Sequence, residues 1–341
     1  MKKTNLFVSL CAVAVLMTGF GLSHAGPEWP KTITVQTGAA QTSYHTLAIV
    51  VADLITKHVE GVSATAVPCS GQSEANSLVI RGDAELLTSS TAGLVGSWNV
   101  EKGYIPGGKE HLRTMFNAYM GYFGIFVRAD SDIKSIADLK GKKVMCLGSK
   151  SSEQRFARVL EAYGMTYKDI KAVPRLTAAD QVAALKERTA DCIVRSDRSP
   201  TALFMEMFSS IPVRWVPVEE DKLAALHKKY PSLLDSRVPA GTYPGIDKPV
   251  PVAGFAMQIA ARTDLPDDLA YEICKAVFTH LDEAKRAAPP IFKQMNTEFA
   301  VSTLVIPFHV GAIKYFKEVG TWTSKLDSLH KKILSEAGQA K

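Results

Sequence analysis

The segment Ile33-Thr-Val-Gln-Thr-Gly-Ala-Ala-Gln-Thr-Ser-Tyr-His45 decides how the chain is read. Thr32 to Thr37 alternates as a half-buried strand does. Leu47, Val50, Val51, Leu54 and Ile55 then recur at the spacing of one helix face. Between them, Thr37 to Tyr44 is a polar loop rich in backbone donors. A strand, a polar loop and a helix in that order make the first unit of an open α/β sheet.

Working outward, the unit repeats. Ala64 to Val67 reads as a second strand, Ser73 to Ile80 as a short helix, and Ala84 to Thr88 as a third strand ending in Ser89-Ser90-Thr91. A long, aromatic-rich apolar strand, Tyr119 to Val127, runs into Arg128-Ala-Asp130, after which the pattern restarts. Lys143 to Leu147 is a strand and Gly148 to Ser152 a loop. Phe156, Val159, Leu160 and Tyr163 form a helical stripe closed by Gly164, and Ser151 with Gln154 is spaced as a capping box. Asp191 to Val194 is another strand, ending in Arg195-Ser-Asp-Arg-Ser199-Pro200. Val213 to Val250 is rich in proline, charge and turns. Val252 to Ala261 is a strand long enough to cross back, Leu265-Pro-Asp-Asp268 opens a helix, and Val310 to Ala337 reads as helical. A strand leaving near Tyr119 and one returning near Val252 divide the chain into a discontinuous first domain, residues 26–121 and 253–341, and an inserted second, residues 122–252. Two such crossings make a hinge.

The N-terminus adds a location. Lys2 and Lys3, the apolar stretch Leu6 to Phe20 and Ser23-His24-Ala25 have the layout of a secretion signal cleaved after Ala25. The apolar stretch falls short of the roughly 20 residues a bilayer span needs. Cleavage lowers the formal net charge from +6 to +4. That mild excess suits an acidic small ligand or plain solubility, and it lacks the clustered basic stripe of a nucleic-acid binder. Cys69, Cys146, Cys192 and Cys274 remain, widely spaced and without C-x-x-C. Free thiols packed as small hydrophobes are expected, with a single disulfide as the alternative.

In open α/β sheets, ligands bind beyond the carboxyl ends of the strands. Four loops qualify: Thr37 to Tyr44, Pro68 to Glu74, Ser89 to Thr91 and Gly148 to Ser152. All are rich in Gly, Ser, Thr or Gln and poor in acids, which suits a carboxylate; the competing reading is helix capping. Arg195 and Arg198 are candidates for bidentate pairing with such a ligand, or else exposed arginines that touch none. Tyr44, Tyr119 and Tyr243 are candidate cleft walls, against the commoner role of packed aromatics. His45 and His309 read as structural. There is no G-x-S-x-G, H-E-x-x-H, G-x-x-x-x-G-K-[ST] or G-x-G-x-x-G motif, so neither catalysis nor a cofactor or metal is expected.

The chain resembles the TAXI-type solute-binding proteins of tripartite ATP-independent periplasmic (TRAP) transporters. The resemblance runs from Ile33 to Tyr44, through Val127-Arg-Ala-Asp-Ser-Asp-Ile-Lys-Ser-Ile-Ala-Asp-Leu-Lys-Gly-Lys-Lys-Val144 and Pro239-Ala-Gly-Thr-Tyr-Pro-Gly245. It continues in Leu265-Pro-Asp-Asp-Leu269 with Tyr271, and in His309-Val-Gly-Ala312 with Tyr315. It implies an α/β, two-domain periplasmic-binding-protein-like clamshell of type II, each domain a mixed sheet flanked by helices, with two hinge strands. It also implies a periplasmic monomer that closes on a small organic anion, an amino acid or carboxylate, and delivers it to a TRAP membrane permease. A ligand-presenting partner of a membrane sensor is the alternative, and an enzyme on the same scaffold a third. Carried over by position, the site takes Thr42, Ser43 and Tyr44, Gln72 and Ser73, Ser89, Ser90 and Thr91, Ser149, Ser151 and Ser152, and Tyr243, and the residue reading above adds Tyr119 and Arg198 to it. Ala39, Ala40 and Gln41 replace the family's loop glycines, Gly148-Ser-Lys-Ser-Ser152 replaces a Gly-Ser-Gly stretch, and Arg198 stands where a glycine is usual. These departures point to a ligand unlike the family's usual ones.

Overall fold

A computed structural model describes residues 29–40, 42–146, 150–173, 177–198 and 200–339. The segment read as a secretion signal, residues 1–25, lies outside them.

Along the chain, β1 (Thr32–Thr37), α1 (Ser43–His58), β2 (Ser63–Pro68), α2 (Gln72–Arg81), β3 (Leu86–Ser90), α3 (Thr91–Trp98) and α4 (Gly108–His111) build the first lobe. The crossing strand β4 (Leu112–Arg128) leads to the second. That lobe holds β5 (Lys143–Met145), α5 (Lys150–Ala162), β6 (Lys171–Val173), α6 (Ala178–Lys186), β7 (Cys192–Arg198), α7 (Ala202–Ser210), β8 (Val213–Trp215), α8 (Glu220–Lys229) and β9 (Leu234–Val238). The chain returns along β10 (Val250–Arg262) to α9 (Asp267–Thr279), α10 (Leu281–Ala287), α11 (Pro289–Phe292), α12 (Thr297–Ala300), α13 (Val310–Glu318) and α14 (Ser324–Glu336).

The strands lie in the order β2-β1-β3-β10-β4-β7-β5-β6. β1 is parallel to β2 and β3, and β5 to β6 and β7, whereas β10 and β4 run antiparallel to each other and to their flanks. This is a two-lobed α/β clamshell in which two hinge strands join two mixed sheets flanked by helices. Seventeen residues of β4 extend about 55 Å at strand rise, enough to serve both lobes.

Alternation along the crossing strands explains why both faces are packed. In the second lobe, Ile125 and Val127 enter a core with Phe156, Val159 and Leu160 of α5, while Phe126 between them enters the opposite core with Phe204 and Phe208 of α7. On β10, Val252 and Ala253 divide the same way. In the first lobe, Leu47, Val51, Leu54 and Ile55 of α1 pack with Ile273 and Val277 of α9 and Phe316 of α13.

The structure refines several local expectations and corrects one of them. The Val213 to Val250 stretch also holds β8, α8 and β9: Glu220 and Asp221 open α8 and Lys228 and Lys229 close it, charges matched to the helix dipole. Val310 to Ala337 is two helices, parted where Gly320 takes a left-handed φ of 80°. Ser151 does not cap α5, which already begins at Lys150; Gln154 reaches across to the Lys102 carbonyl at 2.7 Å. The four cysteines are free, Cys192 and Cys274 fully buried. Among the described residues no helix is long and apolar enough to cross a membrane.

Candidate ligand cleft

The sheet register places the ends of the two lobes side by side. Ser90 of β3, Met257 of β10 and Tyr119 of β4 form one rung across the hinge, and two residues along, Phe255, Gly121 and Arg198 of β7 form another. A Cβ on Gly121 would come within 2.1 Å of the Phe255 ring. Only glycine leaves room for that ring against β4.

On the Phe255 ring rests a guanidinium that the sequence reading passed over. Arg155 of α5 is 2 % exposed, with its guanidinium carbon 4.8 Å from the Phe255 centroid. Its Nη1 donates to Ser90 Oγ at 3.3 Å and its Nη2 to Ser152 Oγ at 3.1 Å. Ser90 also accepts from the Gly93 N–H at 3.2 Å, capping α3, and donates to Gln72 Oε1 at 3.0 Å. Arg155, Ser90, Ser152 and Gln72 thus form one knot from both lobes. Gly93 makes room for it, since a Cβ there would meet Ser89 Oγ at 2.6 Å and Gln72 Oε1 at 3.0 Å.

The knot holds donors to spare. Among the described residues, Arg155 Nε, Gln72 Nε2 and Ser89 Oγ are buried without a hydrogen-bond partner. All the partners that Arg155 does have are neutral. A buried cation lacking a counter-charge is costly, and an anion that also accepts hydrogen bonds removes that cost.

Around the knot the lobes are latched. Arg158 pairs with Glu101 at 2.5 Å, both largely buried, and Thr91 Oγ1 donates to the Ser232 carbonyl at 2.8 Å. Thr91 thereby spends its one hydroxyl proton on a contact between the lobes.

A second constellation lies by the α10–α11 side of the hinge. There a cavity of about 750 Å³ is lined by Tyr119, Tyr122, Arg198, Thr242, Lys285 and Lys293, with Pro289 and Pro290 closing one wall. Its size falls within the usual range for small-ligand pockets. No carboxylate occurs among its described lining residues. Arg198 is half-buried and donates from Nη1 to the Pro200 carbonyl at 2.8 Å. Burial raises the Tyr122 phenol above its ordinary range, which keeps it a neutral donor. The guanidinium of Arg195 instead lies 5.7 Å from the Phe204 ring centroid.

The expected site residues therefore divide. Gln72, Ser89, Ser90 and Ser152 gather at Arg155, whereas Tyr119 and Arg198 line the cavity. Ser73 follows Gln72 in the first turn of α2 and is half-buried. Thr42 accepts from the His45 N–H at 3.4 Å as the cap of α1, Ser43 opens that helix, and Tyr44 packs on the first-lobe core. The capping reading thus holds for Thr42 and for Ser90. Tyr243 is not a cleft wall: it is 2 % exposed, stacks on Phe208 at 4.8 Å, and accepts from the Thr201 N–H at 3.1 Å. The proline-rich turn folds its ring inward, leaving Pro239 to Thr242 facing the cavity. Ser149 and the side chain of Ser151 lie outside the described residues.

The pattern of the NMT1-like family matches residues 35–320, which spans both lobes and the hinge. The chain belongs to the NMT1-like family. Its fold is also similar to that of solved structures at low identity. XAC2383 from Xanthomonas citri bound to ATP is 11% identical, with 88% of this chain and 99% of that one covered and a TM-score of 0.52. The same Xanthomonas protein bound to chloride ion gives 12% identity, 88% and 100% coverage and a TM-score of 0.51. A periplasmic sulfonate-binding protein, SsuA, from a sulfonate ABC transporter of Methylobacillus flagellatus is 13% identical, with coverage of 91% and 90% and a TM-score of 0.50. These likenesses carry the clamshell fold for this NMT1-like chain.

Proposed function

We propose that the protein is an exported, periplasmic solute-binding protein that captures a small organic anion between its lobes and presents the closed form to a membrane permease. The lobes are taken as residues 26–121 with 253–341, and residues 122–252. The observation that carries this reading is Arg155: a buried guanidinium between the lobes, bonded only to neutral groups and flanked by idle donors. A carboxylate or sulfonate there would accept from Arg155, Gln72 and Ser89, so contacts from both lobes would favour the closed form, as ligand-driven closure requires. The names of the similar structures agree in charge, since ATP, chloride and sulfonates are all anions.

TRAP-type delivery rests on the resemblance of the blocks at Ile33, Val127, Pro239, Leu265 and His309. The similar Methylobacillus protein serves an ABC transporter. Deletion of candidate permease genes beside this gene, with uptake of the identified ligand as readout, separates the two.

The binding test is a thermal-shift screen of amino acids, carboxylates and sulfonates on the mature protein. A ligand at a hundred times its Kd should stabilise by about 2.7 kcal/mol. No shift with any anion, by thermal melt or by calorimetry, would overturn the reading.

The cavity beside Arg198 supports a second reading, in which the anion lies against Arg198, Lys285 and Lys293. Arg155→Ala and Arg198→Ala, assayed with the same ligand, decide between them.

A further inference from the structure

Away from the cleft, the end of α1 meets the joint between α9 and α10. His58 is the last residue of α1, His280 sits between α9 and α10, and Glu283 lies in the first turn of α10. His58 Nε2 and His280 Nδ1 each lie 3.2 Å from the same atom, Glu283 Oε1. The donor atoms of all three lie within 4.8 Å of one another, and the two rings stack with centroids 3.4 Å apart. The side chains are 22%, 35% and 34% exposed, so the cluster is supported by packing yet reachable from solvent.

A tetrahedral Zn²⁺ bonded at about 2.0–2.2 Å to nitrogen and carboxylate oxygen sets its donor atoms roughly 3.3 Å apart. Two of the three edges here already have that length. We propose that His58, His280 and Glu283 form a surface site for a divalent transition metal, Zn²⁺, Ni²⁺ or Cu²⁺, with the remaining coordination positions taken by water. Two imidazoles select these ions over Mg²⁺ and Ca²⁺, which prefer oxygen. Binding requires each ring to turn about its Cβ–Cγ bond, because a metal between parallel rings would lie outside both ring planes. Lys57 lies near Glu283, but Asp53 holds its ammonium at 2.6 Å and offsets its charge.

The ligands sit on two packed parts of one lobe. The metal therefore clamps the end of α1 to the α9–α10 joint, and it stabilises that lobe whether or not the cleft is filled.

The test uses mature protein freed of any polyhistidine tag. Calorimetry with ZnCl₂ should give one saturable site per chain, and the thermal midpoint should rise with Zn²⁺. His58→Ala and His280→Ala should each weaken binding by more than about 10-fold, while His111→Ala, at an exposed histidine elsewhere, should leave it unchanged. Electron paramagnetic resonance of the Cu²⁺ form should show coupling to two imidazole nitrogens, falling to one in His280→Ala. Absence of a stoichiometric Zn²⁺ site overturns the proposal. So does binding that survives both histidine substitutions. Neither result bears on anion capture, which is read with a different ligand at different residues.

Discussion

Two arginines flank the hinge, and their surroundings differ in what they ask of a ligand. Arg155 is sealed between the lobes, on a phenyl ring and two serine hydroxyls, with its Nε idle. Arg198 is half-buried beside a cavity of about 750 Å³ that Lys285 and Lys293 also line. In the first setting the protein has already removed the water around the charge, so an anion gains the full benefit of a dry, directed contact. In the second, water remains and screening dilutes each contact. A cleft can thus use one arginine to anchor and another to attract.

The largest effect should come from breaking the anchor. Arg155→Ala should reduce anion affinity by about 30-fold or more, since truncating one partner of a buried charge pair costs about 2–5 kcal/mol. Arg198→Ala should cost about 1 kcal/mol or less, as solvated pairs do. Calorimetry on both variants measures the ratio. Equal losses would erase the distinction, and a reversed order would move the anchor to the cavity.

Next comes the packing that shapes the knot. Gly93→Ala would drive a methyl into Ser89 Oγ and Gln72 Oε1. The forced repacking should cost about 1–3 kcal/mol of stability and weaken anion binding, with little change at the cavity. Chemical denaturation and ligand titration of the same variant separate the two losses. Unchanged ligand affinity would show that Gln72 and Ser89 lie off the anion's path.

A smaller effect belongs to the latch. Glu101→Gln leaves Arg158 with a neutral partner and so weakens one contact that crosses between the lobes. The ligand-free protein should then open more often, seen as a larger radius of gyration in X-ray scattering, and ligand affinity should fall by roughly 5-fold, as for a coupling of about 1 kcal/mol. Unchanged scattering and affinity would mean that closure does not depend on this pair.

The difference between the two arginines also marks what the sequence can express. The β1–loop–α1 unit, the serines after β3 and the returning strand were legible because each is a local pattern in hydropathy or turn chemistry. Arg198 was legible too, as a charge at a strand end. Arg155 was not, because it sits inside a helix where a charge usually faces water, and only the apposed lobe buries it. One signal was available: Ser152, Arg155, Phe156 and Val159 fall at i, i+3, i+4 and i+7, so the arginine lies on the buried stripe. Tyr243 failed for the converse reason, since its turn context suggested a rim while its ring is packed in a core that Phe204 and Phe208 reach from elsewhere.

The smallest expected effect on the cleft is that of pH, and it tests whether either arginine is disturbed through the fold. His309 is 2 % exposed and its Nδ1 accepts from the Gly311 N–H at 3.2 Å, a bond that needs the unprotonated ring. Burial lowers its affinity for protons, and the Asp267 carboxylate at 3.6 Å, itself mostly exposed, only partly opposes that. The unfolded imidazole takes up a proton near pH 6.5, whereas the folded one resists until lower pH. The unfolded state therefore binds more protons in between, so stability present above that value is lost as pH falls through it. His330, lowered by burial as well, acts in the same direction. The melting temperature should fall on acidification from about pH 7 to about pH 5, and His309→Asn, which can still cap α13, should flatten that slope without abolishing it. A guanidinium keeps its charge across this range, so ligand affinity, measured while the protein remains folded, should stay nearly constant. A steep acid loss of affinity in the folded protein would mean that a titrating group, on the ligand or beside it, shares the anion's site with Arg155.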